Sequence, residues 1–287
     1  MAGKTKAQGK KTVKSGNVKP AAPPVNIARS LVVKPVTVAD ILASLRSGLS
    51  DFLARPLLSG FFGLVYALFG IFFVAGLAWF DRIWMIIPVA IGFPLVAPFA
   101  AAGLYEISRR LQKGQSFTAR DIFFVINRQR NRELGWMAFV TLFVFWVWVY
   151  QVRLLLAIIL QNQSFSTFDG FLTVISTTYN GFIFLGVGTL IGAFLATVLF
   201  TVTVISMPML LDREIDFVSA MVLSIKTVTT SPVVMVGWGW TIAVLMIMAM
   251  IPAFLGLIFV LPILGHATWH LYQRAIGEGE AGPPIRR

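Results

Sequence analysis

Apolar residues run through this chain in long blocks, separated by short polar segments. Leu57 to Phe80 contains no charged residue and exceeds the roughly 20 apolar residues that a helix needs to cross a bilayer. Asp81-Arg82 makes a polar turn, and Ile83 to Leu104 crosses back. After a polar stretch from Glu106 to Glu133, a third block runs from Gly135 to about Val152. The loop Gln161 to Gly170 leads into Gly181 to Met209, and Pro232 to Thr268 is long enough for two crossings that turn near Pro252 and Gly256. That turn is short and uncharged, so a re-entrant pair is the alternative to two full spans. The pattern predicts an all-α membrane protein with about six transmembrane helices.

Between the blocks the period changes to that of amphipathic helices. Thr37 and Asp40 have the spacing of a capping box. Val38, Ile41, Leu42, Leu45, Leu49, Phe52 and Leu53 then recur at helical intervals. Thr118 and Asp121 open a second such segment, Asp216 a third, and Thr167 one on the opposite side. Helices of this kind lie in the membrane interface with their apolar face toward the acyl chains.

These segments suggest a threefold repeat of interfacial helix plus transmembrane hairpin. Asp40 precedes Pro56 by 16 residues, and Asp216 precedes Pro232 by the same 16. Asp121 holds the matching place in the middle unit, where Gly135 replaces the proline. The return helix of each hairpin carries a proline, Pro98, Pro208 and Pro262, as a hinge or cavity-forming residue. The competing explanation is that proline is simply commoner in membrane helices than in soluble ones.

Composition agrees with the membrane class. Of 287 residues 57% are hydrophobic and 13% charged, about half the charged share of a soluble domain. The net charge of +12 is not read as a nucleic-acid signal, because its distribution follows the positive-inside rule. With six crossings, 22 of the 24 Lys and Arg fall on one side, leaving Arg82 and Arg153 opposite. Both termini are therefore expected inside. Residues 1–36 read as a disordered basic cytoplasmic tail, 37–276 as one polytopic domain and 277–287 as a flexible tail. The tail lacks the short apolar region and cleavage site of a secretory signal.

Candidate chemistry is sparse. With no cysteine, disulfides and thiolate sites are excluded. His266 and His270 are spaced i, i+4 on the last helix and could ligate a metal if a third ligand came from elsewhere; otherwise they belong to an aromatic belt with Trp269 and Tyr272. Arg153 either snorkels to the headgroups or contacts a buried anion through a partner such as Asp169 or Asp81. Gly188 and Gly192 form a GxxxG surface for helix packing. Asn162-Gln163-Ser164 is formally a glycosylation sequon. No Asp, Glu or Lys is expected inside a span, and no nucleotide loop or nucleophile elbow is present, so the chain reads as a non-enzyme without a cofactor.

The stretch from Asp212-Arg213-Glu214-Ile215-Asp216 to the closing Leu261-Pro262-Ile263-Leu264-Gly265-His266-Ala267-Thr268-Trp269-His270-Leu271-Tyr272 resembles an uncharacterised family of proteobacterial integral membrane proteins. Some of its members are labelled cytochrome c oxidase subunit I-like. The resemblance implies coverage of about Arg29 to Ile276 and a bacterial inner-membrane location. A catalytic oxidase subunit needs six histidine ligands on several helices; this chain has two histidines. The expectation is a scaffold, accessory subunit or assembly factor. Its partners would be membrane lipids and other membrane proteins, including a respiratory complex. A channel or permease for a neutral or hydrophobic solute is the alternative. Oligomeric state is not readable.

Overall fold

The computed structural model describes residues 31–80, 86–130, 133–161 and 168–278. The first 30 residues, the Asp81-Arg82 turn, Asn162-Gln163-Ser164, Thr167, the side chain of Asp169 and residues 279–287 lie outside them.

The apolar blocks become long helices: α2 (Pro56–Phe80), α3 (Ile86–Gln112), α5 (Glu133–Ile159), α7 (Tyr179–Thr203), α10 (Pro232–Met250) and α11 (Leu257–Ala275). The amphipathic segments become α1 (Val38–Ala54), α4 (Ala119–Arg130), α6 (Phe168–Thr177) and α9 (Phe217–Thr230), with a short α8 (Ser206–Asp212) between α7 and α9. Among the described residues four spans are long and apolar enough to cross a membrane: Pro56–Gly76, Gly135–Ile159, Tyr179–Asp212 and Pro232–Met250. The C-terminal halves of α3 and α11 are more polar, carrying Glu106, Arg109 and Arg110, and His266, His270 and Arg274. Part of that polar set is enclosed by protein, Glu106 and His266 completely. α11 is packed by α1, α2, α3, α8 and α10 and buries His266, Ala267, Trp269, Leu271 and Tyr272.

The helix starts follow their local chemistry. The Asp40 amide donates to the Thr37 hydroxyl at 3.2 Å, and the Thr37 amide to the Asp40 carboxylate at 3.0 Å, completing the box. The Thr118 amide reaches Asp121 at 2.8 Å, and the Ser219 amide reaches Asp216 at 2.8 Å. These bonds hold the three carboxyls below the ordinary aspartate range: the Thr37 hydroxyl leads at Asp40, the Thr118 amide at Asp121 and the Ser219 amide at Asp216. The residue before each cap is apolar and buried: Val36, Phe117 and Ile215.

Two of the amphipathic helices end alike. Arg55 after α1 has φ −141° and ψ 60°, and Ser231 after α9 has φ −134° and ψ 63°. A proline follows each, at the first position of the next helix, where its missing N–H costs nothing. Around the molecule, α1 packs on α11, α4 on α3, and α9 on α7 and α8. Each of α1, α4 and α9 thus lies against a long helix, and for α1 that helix is α11, at the far end of the described chain.

The predicted fourth crossing, Gly181 to Met209, is broken at Val204-Ile205. Pro208 has no N–H to offer the Val204 carbonyl and its ring crowds it. The Ser224 hydroxyl of α9 then enters the ladder, accepting from the Ile205 amide at 3.2 Å and donating to the Thr201 carbonyl at 2.7 Å. An inserted side chain is a recognised cause of a helix break. Pro98 and Pro262 lie inside continuous helices instead.

The expected tail boundaries shift. Leu31–Val33 forms strand β1, paired antiparallel with β2 (Ile276–Glu278). Two segments assigned by composition to flexible ends are therefore ordered, and they bind each other. The fold is helical with one short ribbon.

Candidate functional site around the last helix

α11 carries both histidines into a layer of polar side chains. His266 is fully buried; its Nε2 lies 2.9 Å from the Ser59 hydroxyl of α2 and its Nδ1 2.8 Å from the Ser108 hydroxyl of α3. One turn on, His270 Nε2 lies 2.8 Å from the Asp51 carboxylate of α1, and its Nδ1 3.1 Å from the Gln112 amide nitrogen of α3. The Trp269 indole, which can only donate, gives its proton to Gln112 Oε1 at 3.0 Å. That fixes the Gln112 amide, so its nitrogen faces His270. His270 Nδ1 must then accept, and Nε2–H donates to Asp51.

The i, i+4 spacing does place both rings on one face, as expected. They do not converge on a common point with a third ligand: all four ring nitrogens already have protein partners. Among the described residues no group of three His, Asp or Glu side chains could hold a metal ion. A serine beside a histidine is also the arrangement of a nucleophile and its base. Here Ser59, His266 and Ser108 are all fully buried, and the second ring nitrogen meets a serine rather than an orienting carboxylate. The arrangement ties α1, α2 and α3 to α11.

Further polar contacts extend the layer. Buried Glu106 accepts from Arg109 at 2.8 Å and Arg110 at 2.6 Å. Tyr272 donates to Asp212 at 2.9 Å and accepts from Arg213 at 3.0 Å, while Arg213 reaches Glu278 of β2 at 3.1 Å. Sequence reasoning missed Ser59, Ser108, Gln112 and Glu106 as partners. Their only signal was a polar residue near the end of an apolar block.

Pro98 lines a cleft of about 250 Å³, together with Tyr105, Thr141, Phe200, Met207 and Thr268. The Thr141 and Thr268 hydroxyls donate to carbonyls of their own helices, at 2.9 and 2.8 Å, so the wall offers few free polar groups. Pro208 and Pro262 are buried. Gly188 and Gly192 face α5, but through side chains: a Cβ on them would meet Leu155 at 3.7 Å and Trp148 at 3.5 Å. Close backbone contact occurs at Gly48 instead, where a Cβ would lie 2.6 Å from the Ala267 nitrogen. Arg153 is exposed on the last part of α5, within reach of an interface by snorkelling.

No curated protein and no solved structure matches the chain. Over residues 86–212, from α3 to α8, it matches the family model described as a predicted integral membrane protein, DUF2189; with its four apolar spans the chain is an integral, multi-pass membrane protein.

Proposed function

We propose that the chain is a non-enzymatic scaffold, accessory subunit or assembly factor of a membrane complex. The observation that carries this reading is an uneven distribution of packing. Only 6% of the apolar window of α5, and 6% of that of α7, is buried inside the protein, against 33% for α2. The α5–α7 hairpin therefore keeps almost no residue fully buried, and its exposed Trp136, Phe139, Phe143 and Trp148 are available to lipid or to other membrane helices. The polar layer around α11 ties α1, α2 and α3 together beside it. The test is recovery of the tagged, natively expressed chain in mild detergent, with mass spectrometry and a metal and haem assay. Co-recovery of a membrane complex in stoichiometric amount is expected; the chain recovered alone would sink the reading.

The second reading is a channel or permease for a neutral or hydrophobic solute, favoured by the apolar cleft at Pro98. Flux of a neutral solute into liposomes, raised by the purified chain, would support it over the first.

Six crossings with both ends on the cytoplasmic side of a bacterial inner membrane complete the proposal. The cation distribution supports it, and so does the β1–β2 pairing: two chain ends that hydrogen-bond to each other lie on one side, which requires an even number of crossings. A threefold repeat is supported by the shared caps, the twin breaks at Arg55 and Ser231 and the packing of α1, α4 and α9 each on a long helix. Because the chain has no cysteine, single-cysteine labelling reads the topology without background. In intact cells, Lys113→Cys and Lys226→Cys should resist a membrane-impermeant maleimide, and Gln161→Cys should react. The opposite pattern would reverse the orientation.

A further inference from the structure

We propose that the corner formed by α2, α3 and α4 binds the phosphate headgroup of an anionic phospholipid. Two guanidinium groups converge there on one ring. The Arg55 Cζ lies 5.2 Å from the centroid of Phe117, and the Arg110 Cζ lies 6.0 Å from it. Phe117 itself is buried.

Cations outnumber carboxylates in this corner. Glu106 serves both Arg109 and Arg110, and Asp121 of α4 is the further acid near Arg110, shared with Arg120. Arg55 has no carboxylate within ion-pair distance among the described residues. Like charges gathered on one ring repel, and an anion between them relieves the repulsion. Guanidinium groups suit a phosphate because their planar forks match its oxygens.

Arg55 is also held in place. It occupies the break between α1 and α2, where its amide donates to the carbonyls of Asp51 and Phe52. Pro56 follows immediately and opens the span Pro56–Gly76. The guanidinium therefore stands at the boundary of an apolar span, at the depth of lipid headgroups.

The apolar part of a lipid has a wall to follow. Leu57 is 91% exposed, Phe61 43% and Phe124 67%. The Phe61 ring meets Phe123 edge-on at 5.6 Å, so α2 and α4 present one apolar surface beside the two arginines. Free phosphate would satisfy the guanidinium groups and leave this wall uncovered. A phospholipid satisfies both.

The test uses the full chain, purified, delipidated and placed in phosphatidylcholine nanodiscs, then titrated with phosphatidylglycerol and read by native mass spectrometry of the released complexes. Phosphatidylglycerol should bind in preference to further phosphatidylcholine. Arg55→Gln should weaken that binding about fivefold, the effect of losing one cation near a lipid surface. Arg55→Lys, which keeps the charge and loses the fork, should weaken it less. Arg46→Gln, an exposed cation elsewhere on α1, should leave it unchanged. Helix content measured by circular dichroism should be the same for all three variants. Equal binding by wild type and Arg55→Gln, or an equal loss in Arg46→Gln, would overturn the assignment. Binding of inorganic phosphate with no preference for phosphatidylglycerol over phosphatidylcholine would overturn the lipid as the ligand, leaving a free-anion site.

Discussion

Gly48→Ala should lower the melting temperature of the purified chain by roughly 6–12 °C, a shift that corresponds to about 3 kcal/mol in a chain of 150–250 residues. The added methyl would lie 2.6 Å from the Ala267 nitrogen and 2.7 Å from the Ile263 carbonyl oxygen. Both atoms belong to the backbone of α11, so no flexible side chain can give way, and α1 has to lift off its partner. Overpacking of this kind costs about 1–3 kcal/mol and occasionally more. The matched control is Gly192→Ala, whose methyl would sit 3.5 Å from the Trp148 indole, an ordinary contact. It should leave the melting temperature nearly unchanged. If the two variants melt together, the α1–α11 contact is not as close as described.

His266→Ala should destabilise by about 3–5 kcal/mol. It strands the Ser59 and Ser108 hydroxyls, each buried without a partner at about 1–3 kcal/mol, and leaves a cavity where the ring was. The triple variant Ser59→Ala, His266→Leu, Ser108→Ala removes the whole polar set together and should recover much of the loss, since replacing every partner by apolar groups is close to neutral. Unfolding of the two variants in parallel decides it. Additive losses would mean that the three side chains do not act as a unit. Metal analysis of the same preparations bears on the histidines as ligands: zinc that is stoichiometric in the wild type and lost in His266→Ala would give this ring a role that packing does not.

How much of this was legible depended on distance along the chain. The Thr37–Asp40 box could be read because its two residues are three apart and the chemistry is complete within one turn. The long helices could be read because a bilayer demands blocks of one length. The break at Val204-Ile205 was half legible. Pro208 announces a disturbance, but the serine that fills it comes from the next helix. The histidines were picked out, yet their partners lie 158 to 219 residues away, where no local pattern reaches. Small residues show the same limit. Gly188 and Gly192 have the spacing of a close-packed surface, as do Ser44 and Gly48, and only the crossing partner decides which pair is used. Ser44, a polar residue off the apolar stripe of α1, is buried. The apolar residues Val38, Leu42, Leu49 and Leu53 are the exposed ones, as expected of a helix whose apolar side meets acyl chains.

The central place of α11 also has a consequence in time. α1 and α2 are made early, but the residues they hold onto come last: Ser59 waits 207 residues for His266, and Asp51 waits 219 for His270. At about 5–20 residues per second, that interval is on the order of 10–40 s. Throughout it the first helices are in the membrane without the strut they are shaped to fit, with Gly48, Ser59 and Ser108 open to whatever lies beside them. A ribosome that stalls before residue 257 leaves a product with most of its membrane helices, but with Asp51, Ser59 and Ser108 lacking the histidines they bind. Such a product would be recognisable to a membrane protease by those side chains alone.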